Sequence, residues 1–325
     1  MSQSQQIKEI TEQLEKGIKD LFESDNYKNY LKCMSRFNNY SLNNTILIYK
    51  QCPSAELVAS FGTWKYYNRS ILKGSKGIKI IAPCSYKKKV KTEITDTDGK
   101  KILGKDGKPL TEEVEKNFLS FKIANVFDIS CTEGEPLPQI AHKLDGTVDD
   151  YNDFFEAIKQ FSPVPIDFKT IEGSTNGYYH LIDKNIYIDN SMSQSMNCKT
   201  AIHELAHALL HDRDNGLEKD AHLDKSTKEV QAESIAYTVL QHFGNIDTSD
   251  YSFGYVAGWS SGKDLKELKA SLEIIRQTAQ TIINGIGQKL DAIKQSKQIT
   301  MDDPILKNMD APTISEPKHN RTIKH

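Results

Sequence analysis

The chain has 325 residues, with 42 Lys and Arg against 44 Asp and Glu, so its net charge of −2 is close to neutral. This length and balance indicate a globular protein with room for two domains. No apolar stretch is long enough for a membrane span, and the polar segment from Met1 to Leu21 lacks an apolar signal region. The five cysteines are scattered without CxxC spacing, as free thiols in a reducing compartment would be, so we expect a cytoplasmic protein.

The first third of the chain is basic. Residues 1–91 contain 16 Lys and Arg against 7 Asp and Glu, and the remainder is acidic. Aromatic residues are interleaved with these cations: Phe37, Tyr40, Tyr49, Phe61, Trp64, Tyr66, Tyr67 and Tyr86. Cations that follow phosphates and rings that stack on bases are typical of proteins that bind single-stranded nucleic acid. The alternative is that many of these rings are core residues and that the lysines only solubilise the domain.

Segment 87–117 is predicted to be a protruding hairpin loop. Asp98-Gly99 and Asp106-Gly107 are turn signals within it, and its apolar content is low. Because its lysines are balanced by acids, we expect them to be solvated.

The composition of the chain indicates where its domains begin and end. Glycine and proline cluster near the middle, so we place a linker at 136–147, between a first domain at 1–135 and a second at 148–260. Apolar residues then recur every three to four positions, which predicts a long amphipathic helix at 261–297. The polar segment 298–325 contains prolines and is predicted to be a disordered tail.

In the second domain, the run from Gly177 to Asn190 predicts two short strands joined by a turn around Asp183, Lys184 and Asn185. These features indicate a hairpin shortly before the most informative motif of the chain.

That motif is the HExxH sequence of His203, Glu204 and His207 within an apolar helical segment. The two histidines lie one helical turn apart on the same face, so both imidazoles can reach one zinc ion. Zinc lowers the pKa of a water ligand to roughly 7, and the carboxylate of Glu204 can take its proton and pass it to a leaving amine. The motif therefore predicts a zinc hydrolase.

A catalytic zinc needs a third protein ligand. His211 follows His207 by four residues, but with no turn between them it is expected further along the same helix, beside the site and not on the metal. A second amphipathic segment, Lys228–Leu240, places Glu229 and Glu233 on one face.

This pair of helices resembles the gluzincin peptidases. The resemblance implies that Glu229 is the third ligand and that Glu233 accepts a hydrogen bond that fixes the tautomer of His203; the reverse assignment is the alternative. It also implies that the strand before the HExxH helix is an exposed edge that pairs with substrate, although it could equally be an ordinary sheet edge. Tyr251, Tyr255 or Trp259 could line the cleft, and a tyrosine could donate to the oxyanion.

The first domain resembles the ArdC antirestriction family of conjugative plasmids. The similarity rests on segments 39–48, 51–55, 58–64, 73–83 and 126–134, which include Asn39-Tyr40-Ser41-Leu42-Asn43-Asn44 and Val126-Phe127-Asp128-Ile129-Ser130. That family couples a single-stranded DNA binding domain to a gluzincin-like metallopeptidase domain. This chain departs from the pattern at Asn68, where glycine is usual, and at Ser75, where an acid is common.

The resemblance implies a DNA surface on the first domain, with the strand 78–82 as its platform. Its candidate residues are Arg36, Tyr40, Asn43, Trp64, Arg69, Lys73, Lys76 and Lys79. Two of them have structural alternatives, because Trp64 could anchor the core and Asn43 could cap a helix beginning near Asn44. Gly74 and Gly77 indicate a tight turn, since no Walker pattern is present.

The sequence therefore predicts an α+β protein: a mixed α/β DNA-binding domain, then a gluzincin-like domain with a small mixed sheet, and a long C-terminal helix. Its expected partners are single-stranded DNA and a protein substrate, with Zn2+ as cofactor and no membrane. The expected function is DNA protection against restriction during conjugative transfer. Two alternatives remain open: an ImmA/IrrE-like regulatory protease that cleaves a repressor, and a DNA-binding protein with a non-catalytic zinc site.

Overall fold

The computed structural model describes residues 3–22, 24–104, 107–137, 148–218, 222–244 and 253–302, and it confirms the predicted α+β class. The helices are α1 (Gln3–Leu21), α2 (Ser24–Arg36), α3 (Leu42–Gln51), α4 (Phe61–Tyr66), α5 (Val148–Phe161), α6 (Gln194–His211), α7 (Lys225–Phe243), α8 (Val256–Ser260) and α9 (Leu265–Asp302). The strands are β1 (Val58–Ala59), β2 (Arg69–Ile71), β3 (Ile78–Glu93), β4 (Thr111–Asp128), β5 (Thr132–Gly134), β6 (Ile166–Lys169), β7 (Gly177–His180) and β8 (Asn185–Asp189). Within the described ranges, every helix is too short or too polar to span a lipid bilayer.

Contacts divide the chain into two compact units. The first comprises Met1–Gln139, Leu223–Thr238 and Ser249–Gln277, and the second comprises Ile140–His222, Val239–Thr248 and Thr278–His325. The predicted linker lies outside the described residues from position 138 to 147, as does the predicted tail from position 303.

A long antiparallel hairpin dominates the first unit. Strand β3 pairs with β4 without interruption from Ile78↔Val126 to Glu93↔Thr111, and β1 extends the sheet on the other side of β4. Within the segment predicted as a protruding hairpin loop, 87–93 therefore pairs with 111–117, and the connection between the strands occupies 94–110. Turn signals alone could not show where pairing ends, because pairing depends on contacts across the hairpin.

Two side-chain amides close the outer edge of β3. Asn44 donates to the carbonyl of Ile81 and accepts from its N–H, both at 2.9 Å, and Gln51 does the same at Lys79. Pro83, two residues after Ile81, lies on the same edge and has no N–H that could pair with another strand. These amides and this proline occupy an edge that could otherwise recruit another strand.

The family motifs of the first unit have structural roles. Asp128 accepts hydrogen bonds from the N–H groups of Glu56, Leu57 and Ser130 and from the Ser130 hydroxyl, so it ties the loop before β1 to the end of β4. Asn68 has a φ of 55°. That left-handed conformation favours glycine and is tolerated by asparagine.

In the second unit, β7 and β8 form the predicted hairpin, which is confirmed, and β6 joins the other side of β8 in parallel. Gly177 in β7 is required by a close approach to α6, because a Cβ there would lie 2.5 Å from Thr200 Cγ2. The predicted long C-terminal helix is also confirmed as α9, whose residues up to Gln277 belong to the first unit and whose later residues belong to the second. Its buried apolar positions include Leu268, Leu272, Ile275, Ala279, Ile282, Ile286 and Leu290.

Candidate metal centre

Helix α6 presents the HExxH residues on its one polar side. The helix begins after Ser193, whose side chain accepts from the N–H of Met196. Ala201, Ile202, Leu205 and Ala206 are fully buried, whereas the motif's histidines and glutamate are half-buried. Burial of the apolar flanks therefore fixes the direction in which the polar side chains point.

The two motif histidines converge. Nε2 of His203 lies 3.2 Å from Nε2 of His207. Two nitrogens held by one tetrahedral zinc at about 2.0–2.1 Å each would lie about 3.3 Å apart. Their separation thus fits a shared metal ion.

Glu229 completes a group of three. Ligand atoms of His203, His207 and Glu229 all lie within 4.8 Å of one another. Glu229 and Glu233 are half-buried on α7, one turn apart, among the buried residues Val230, Ala232, Ile235 and Ala236. Two imidazoles and a carboxylate form a donor set that suits catalytic zinc. The ligand set and the role of Glu233 stay predictions.

His211 lies behind the site. Its Nδ1 is 2.9 Å from Nδ1 of His207, the nitrogen that faces away from His203. Its Nε2 is 3.6 Å from the carboxylate of Glu218. If Nε2 of His207 binds a metal, its Nδ1 carries the proton and donates it to His211, whose own proton then faces Glu218. His211 can therefore orient His207.

Glu204 contacts the sheet. The backbone N–H of Tyr179 in β7 donates to Oε2 of Glu204 at 2.8 Å. The strand immediately before the HExxH helix, β8, is the centre of the order β6-β8-β7, so the prediction that it is an exposed edge is wrong. The edge beside Glu204 is β7. A parallel partner for β8 could not be inferred from a hairpin signal.

A buried carboxylate also fixes this edge strand. Asp212, the C-cap residue of α6, accepts from the hydroxyl of Tyr179 at 2.6 Å and from Nζ of Lys184 at 2.5 Å. Burial opposes ionisation of Asp212, but these bonds and those from the N–H groups of Asn215 and Asp214 outweigh it and hold its pKa well below the usual range. Tyr179 is thus held at both its amide and its hydroxyl.

One of the three predicted cleft residues retains a suitable donor. The pKa of Tyr255 is raised by burial and then by the Glu233 and Glu229 carboxylates, so its hydroxyl stays protonated at neutral pH. The indole of Trp259 donates to Thr227 Oγ1 at 3.0 Å. Tyr251 lies outside the described residues. The role of Tyr255 as a hydrogen-bond donor stays a prediction.

The structure gives two of the predicted DNA-binding residues hydrogen-bond partners within the first unit. Trp64 is only 1% exposed and donates to the Phe127 carbonyl at 2.9 Å, so it anchors the core and has no free face for a base. Arg69 donates to the Thr132 hydroxyl and carbonyl and to the carbonyls of Gly134 and Glu135. Its guanidinium therefore holds β5 and the residue after it in place.

Other predicted DNA-binding residues are half-buried or exposed. Arg36 donates to the Ala55 carbonyl at 2.9 Å, and the Tyr40 hydroxyl donates to the Val58 carbonyl at 3.3 Å. Asn43 is exposed, and the helix cap predicted for it is provided by Ser41. Lys73, Lys76 and Lys79 are exposed. Their contact with DNA stays a prediction.

The predicted platform at 78–82 is mostly covered. Ile78 and Ile80 are buried, and only Lys79 in that segment is exposed. Gly74 has a φ of 89° in a turn closed by the Ser75 N–H and the Leu72 carbonyl, as the predicted tight turn requires.

Comparisons with known proteins agree with this organisation. Residues 164–241 match the peptidase M78 family model, described as an IrrE N-terminal-like domain, and this range contains His203, Glu204, His207, Glu229 and Glu233. The second part of the chain is therefore similar to the IrrE N-terminal-like domain of that family. Residues 2–127 match the N-terminal domain of anti-restriction factor ArdC. The chain thus carries, in that order, a region similar to the ArdC N-terminal domain and a region similar to the IrrE N-terminal-like domain.

The individual proteins that match the chain share less than 30% sequence identity with it. An uncharacterized protein of Bacillus anthracis is 29% identical over 293 residues, which cover 82% of this chain and 48% of that protein. The chain thus spans about half the length of this curated relative. Crystal structures of the antirestriction protein ArdC from plasmid R388, metal-free and Mn(II)-bound, have TM-scores of 0.44. They are 19% and 16% identical, and each covers 78% of this chain, with 84% and 87% of the ArdC chains aligned.

Proposed function

We propose that this protein binds single-stranded DNA through its first domain and hydrolyses a peptide bond at a zinc site formed by His203, His207 and Glu229. The observation that supports the metal site most directly is the convergence of three ligand atoms within 4.8 Å. The match to the ArdC N-terminal domain supports DNA binding. Protection of incoming DNA from restriction during conjugative transfer is the biological role that we infer.

In the proposed reaction Glu204 is the general base. Zinc would supply a Lewis acid and a lowered water pKa. Glu204 would take the proton from the attacking water and deliver it to the leaving amine, while the N–H of Tyr179 keeps its Oε2 in place. The outer side of β7 would hold the substrate backbone extended, and the hydroxyl of Tyr255 would donate to the developing oxyanion.

Free thiols suit a cytoplasmic location for this activity. All five cysteines are unpaired by disulfides. Such thiols persist in reducing compartments, where incoming single-stranded DNA would also be met.

The decisive experiment compares the proteomes of cells that express the wild-type protein and the Glu204→Gln variant, with and without incoming single-stranded DNA. Protein fragments that need Glu204 would support peptidase activity, and their dependence on DNA would show coupling. Unchanged protection by the variant, without such fragments, would leave a DNA-binding protein with a non-catalytic metal site.

A second candidate function is supported by the match to an IrrE N-terminal-like domain. In that case the site would cleave a repressor, and the first domain would sense a signal. A Glu204-dependent fragment that derives from a transcriptional repressor would favour this function over DNA protection.

A further inference from the structure

We propose that one face of the β3–β4 hairpin is a platform for single-stranded DNA, formed by Tyr86, Phe118, Lys88, Lys116 and Lys122. We name it the aromatic–lysine face. This inference rests on the proposed DNA-binding function and assigns it to residues other than those that the family resemblance implies.

The hairpin register places these residues together. Tyr86 lies opposite Phe118, Lys88 opposite Lys116, and Lys122 opposite Ala82. Because side chains alternate between the two faces of a strand, all of them share one face. Between Ala82 and Val90, and between Val114 and Lys122, this face carries three lysines and no acid.

The opposite face carries charges of both signs. Lys87 and Glu115 form an ion pair at 3.2 Å, and Lys89 and Glu113 approach to 4.0 Å. Within the paired strands of segment 87–117, the acids that balance the lysines therefore lie mostly on this opposite face, whereas Glu112, beyond Val114, lies on the aromatic–lysine face. Positive and negative residues are mixed evenly along the sequence, but the pairing register distributes them unequally between the two faces of the hairpin.

Lys88 and Lys116 repel each other. Directly opposite residues of an antiparallel pair have Cβ atoms about 4.5–5.5 Å apart, and like charges there are destabilising. Both side chains are exposed, as is Lys122. A bound polyanion would remove this repulsion, so the arrangement favours a phosphate backbone as its partner.

The ring pair lies between these cations. The rings of Tyr86 and Phe118 are stacked, with centroids 5.7 Å apart and an interplanar angle of 25°. Tyr86 is 50% exposed. The Lys88 and Lys116 pair lies two residues away on one side, about 7 Å along the strand, and Lys122 lies four residues from Phe118 on the other. Rings flanked by cations fit unpaired bases joined by phosphates, whereas a duplex keeps its base faces covered.

The test measures binding of a short labelled single-stranded oligonucleotide at several salt concentrations. Replacement of Lys88, Lys116 and Lys122 by Gln should weaken binding about ten-fold or more and reduce the salt slope by about 2, because each phosphate contact contributes roughly 0.7. The matched control replaces Lys87, Lys89 and Lys91 by Gln, with the same change in charge on the opposite face, and should weaken binding far less.

The rings are tested separately. Tyr86→Ala should weaken single-strand binding about ten-fold without changing the salt slope, because stacking is not ionic. Tyr66→Ala is the control, since Tyr66 is an exposed tyrosine outside the hairpin. Equal affinity of the wild-type protein for single strands and for a duplex of the same sequence would contradict base stacking on this face.

A native thiol gives an independent readout without any substitution. Cys84 lies between Ala82 and Tyr86 on the aromatic–lysine face and is half-exposed. Bound oligonucleotide should slow its reaction with a maleimide and leave the half-exposed Cys52 unaffected. An unprotected Cys84 in the bound protein would contradict the platform.

Failure of this inference differs from failure of the proposed function. If the wild-type protein does not bind single-stranded DNA, both are wrong. If it binds, but the three-lysine variant matches its control and Cys84 stays reactive, only the aromatic–lysine face is wrong and the DNA site lies elsewhere.

Discussion

The backbone N–H of Tyr179 donates a 2.8 Å hydrogen bond to the carboxylate of Glu204. The residue that would act as base is thus bonded directly to the edge strand that would align a substrate. Because the Tyr179 hydroxyl is held by Asp212 at the end of the same helix, strand and helix are joined at two points. Substitutions of these residues can therefore test the geometry of the site one contact at a time.

Glu204→Gln should retain the metal and lose peptidase activity. Glutamine keeps an oxygen that can accept from the Tyr179 N–H, but it cannot take a proton. Loss of the general base should slow cleavage about 10²–10⁴-fold. The measurement is metal content together with cleavage of a substrate found by proteomics. Cleavage at the wild-type rate would exclude Glu204 as the base.

His211→Ala should weaken metal binding without abolishing it. Removal of the group that contacts Nδ1 of His207 leaves that ligand free to rotate, and such losses typically cost about 10–100-fold in affinity. Chelator competition measures the change. His222→Ala is the control, because His222 is exposed. If metal at saturating concentration were lost entirely, His211 would be a ligand and not a positioning residue.

Tyr179→Phe should destabilise the protein, since it removes a hydrogen bond to a buried carboxylate. We expect a loss of about 1.5–3 kcal/mol in the free energy of unfolding, measured by urea denaturation. Tyr178→Phe is the matched control: Tyr178 precedes it in β7, and its ring contacts Lys169. Equal stability of the two variants would show that the Asp212 contact contributes little.

Asp128→Asn should destabilise the first domain at neutral pH and not in acid. Burial opposes ionisation of Asp128, but hydrogen bonds from Ser130 and from the N–H groups of Glu56 and Leu57 outweigh it and lower its pKa. The folded pKa then lies below the unfolded value of about 3.9, so the stabilisation is present above that pH and is lost as the pH falls through the folded pKa.

For Asp128→Asn we expect a loss of about 1–3 kcal/mol at pH 7 that shrinks below pH 4, from urea denaturation across this range. Asp98→Asn, in the exposed hairpin turn, is the control. If the loss in the free energy of unfolding did not change with pH, the shape of the Asp128 side chain and not its charge would be responsible.

Local features of the site could be predicted from the sequence. His203 and His207 share a helix face because of their spacing, and the hairpin at 177–190 has its own turn residues. The order of strands could not be predicted, because the position of β8 between β6 and β7 depends on residues outside the hairpin. The sequence therefore predicts an exposed edge at β8, whereas the edge beside Glu204 is β7.

For the predicted DNA surface, composition alone could not show which side chains are available to a ligand. Composition finds cations and rings but not their contacts, so it cannot show that Trp64 is buried or that Arg69 bonds to backbone carbonyls. Composition also cannot sort charges by face. Only the pairing register shows that Lys88 and Lys116 lie opposite each other.

The most direct test of the central claim is the metal content of the purified protein and its variants, with Zn2+ and Mn2+ offered in turn. We predict one metal ion per chain, lost in His203→Ala and in Glu229→Ala and bound more weakly in Glu233→Ala. A wild-type protein without stoichiometric metal, or a Glu229→Ala variant that binds metal as the wild type does, would contradict the proposed site.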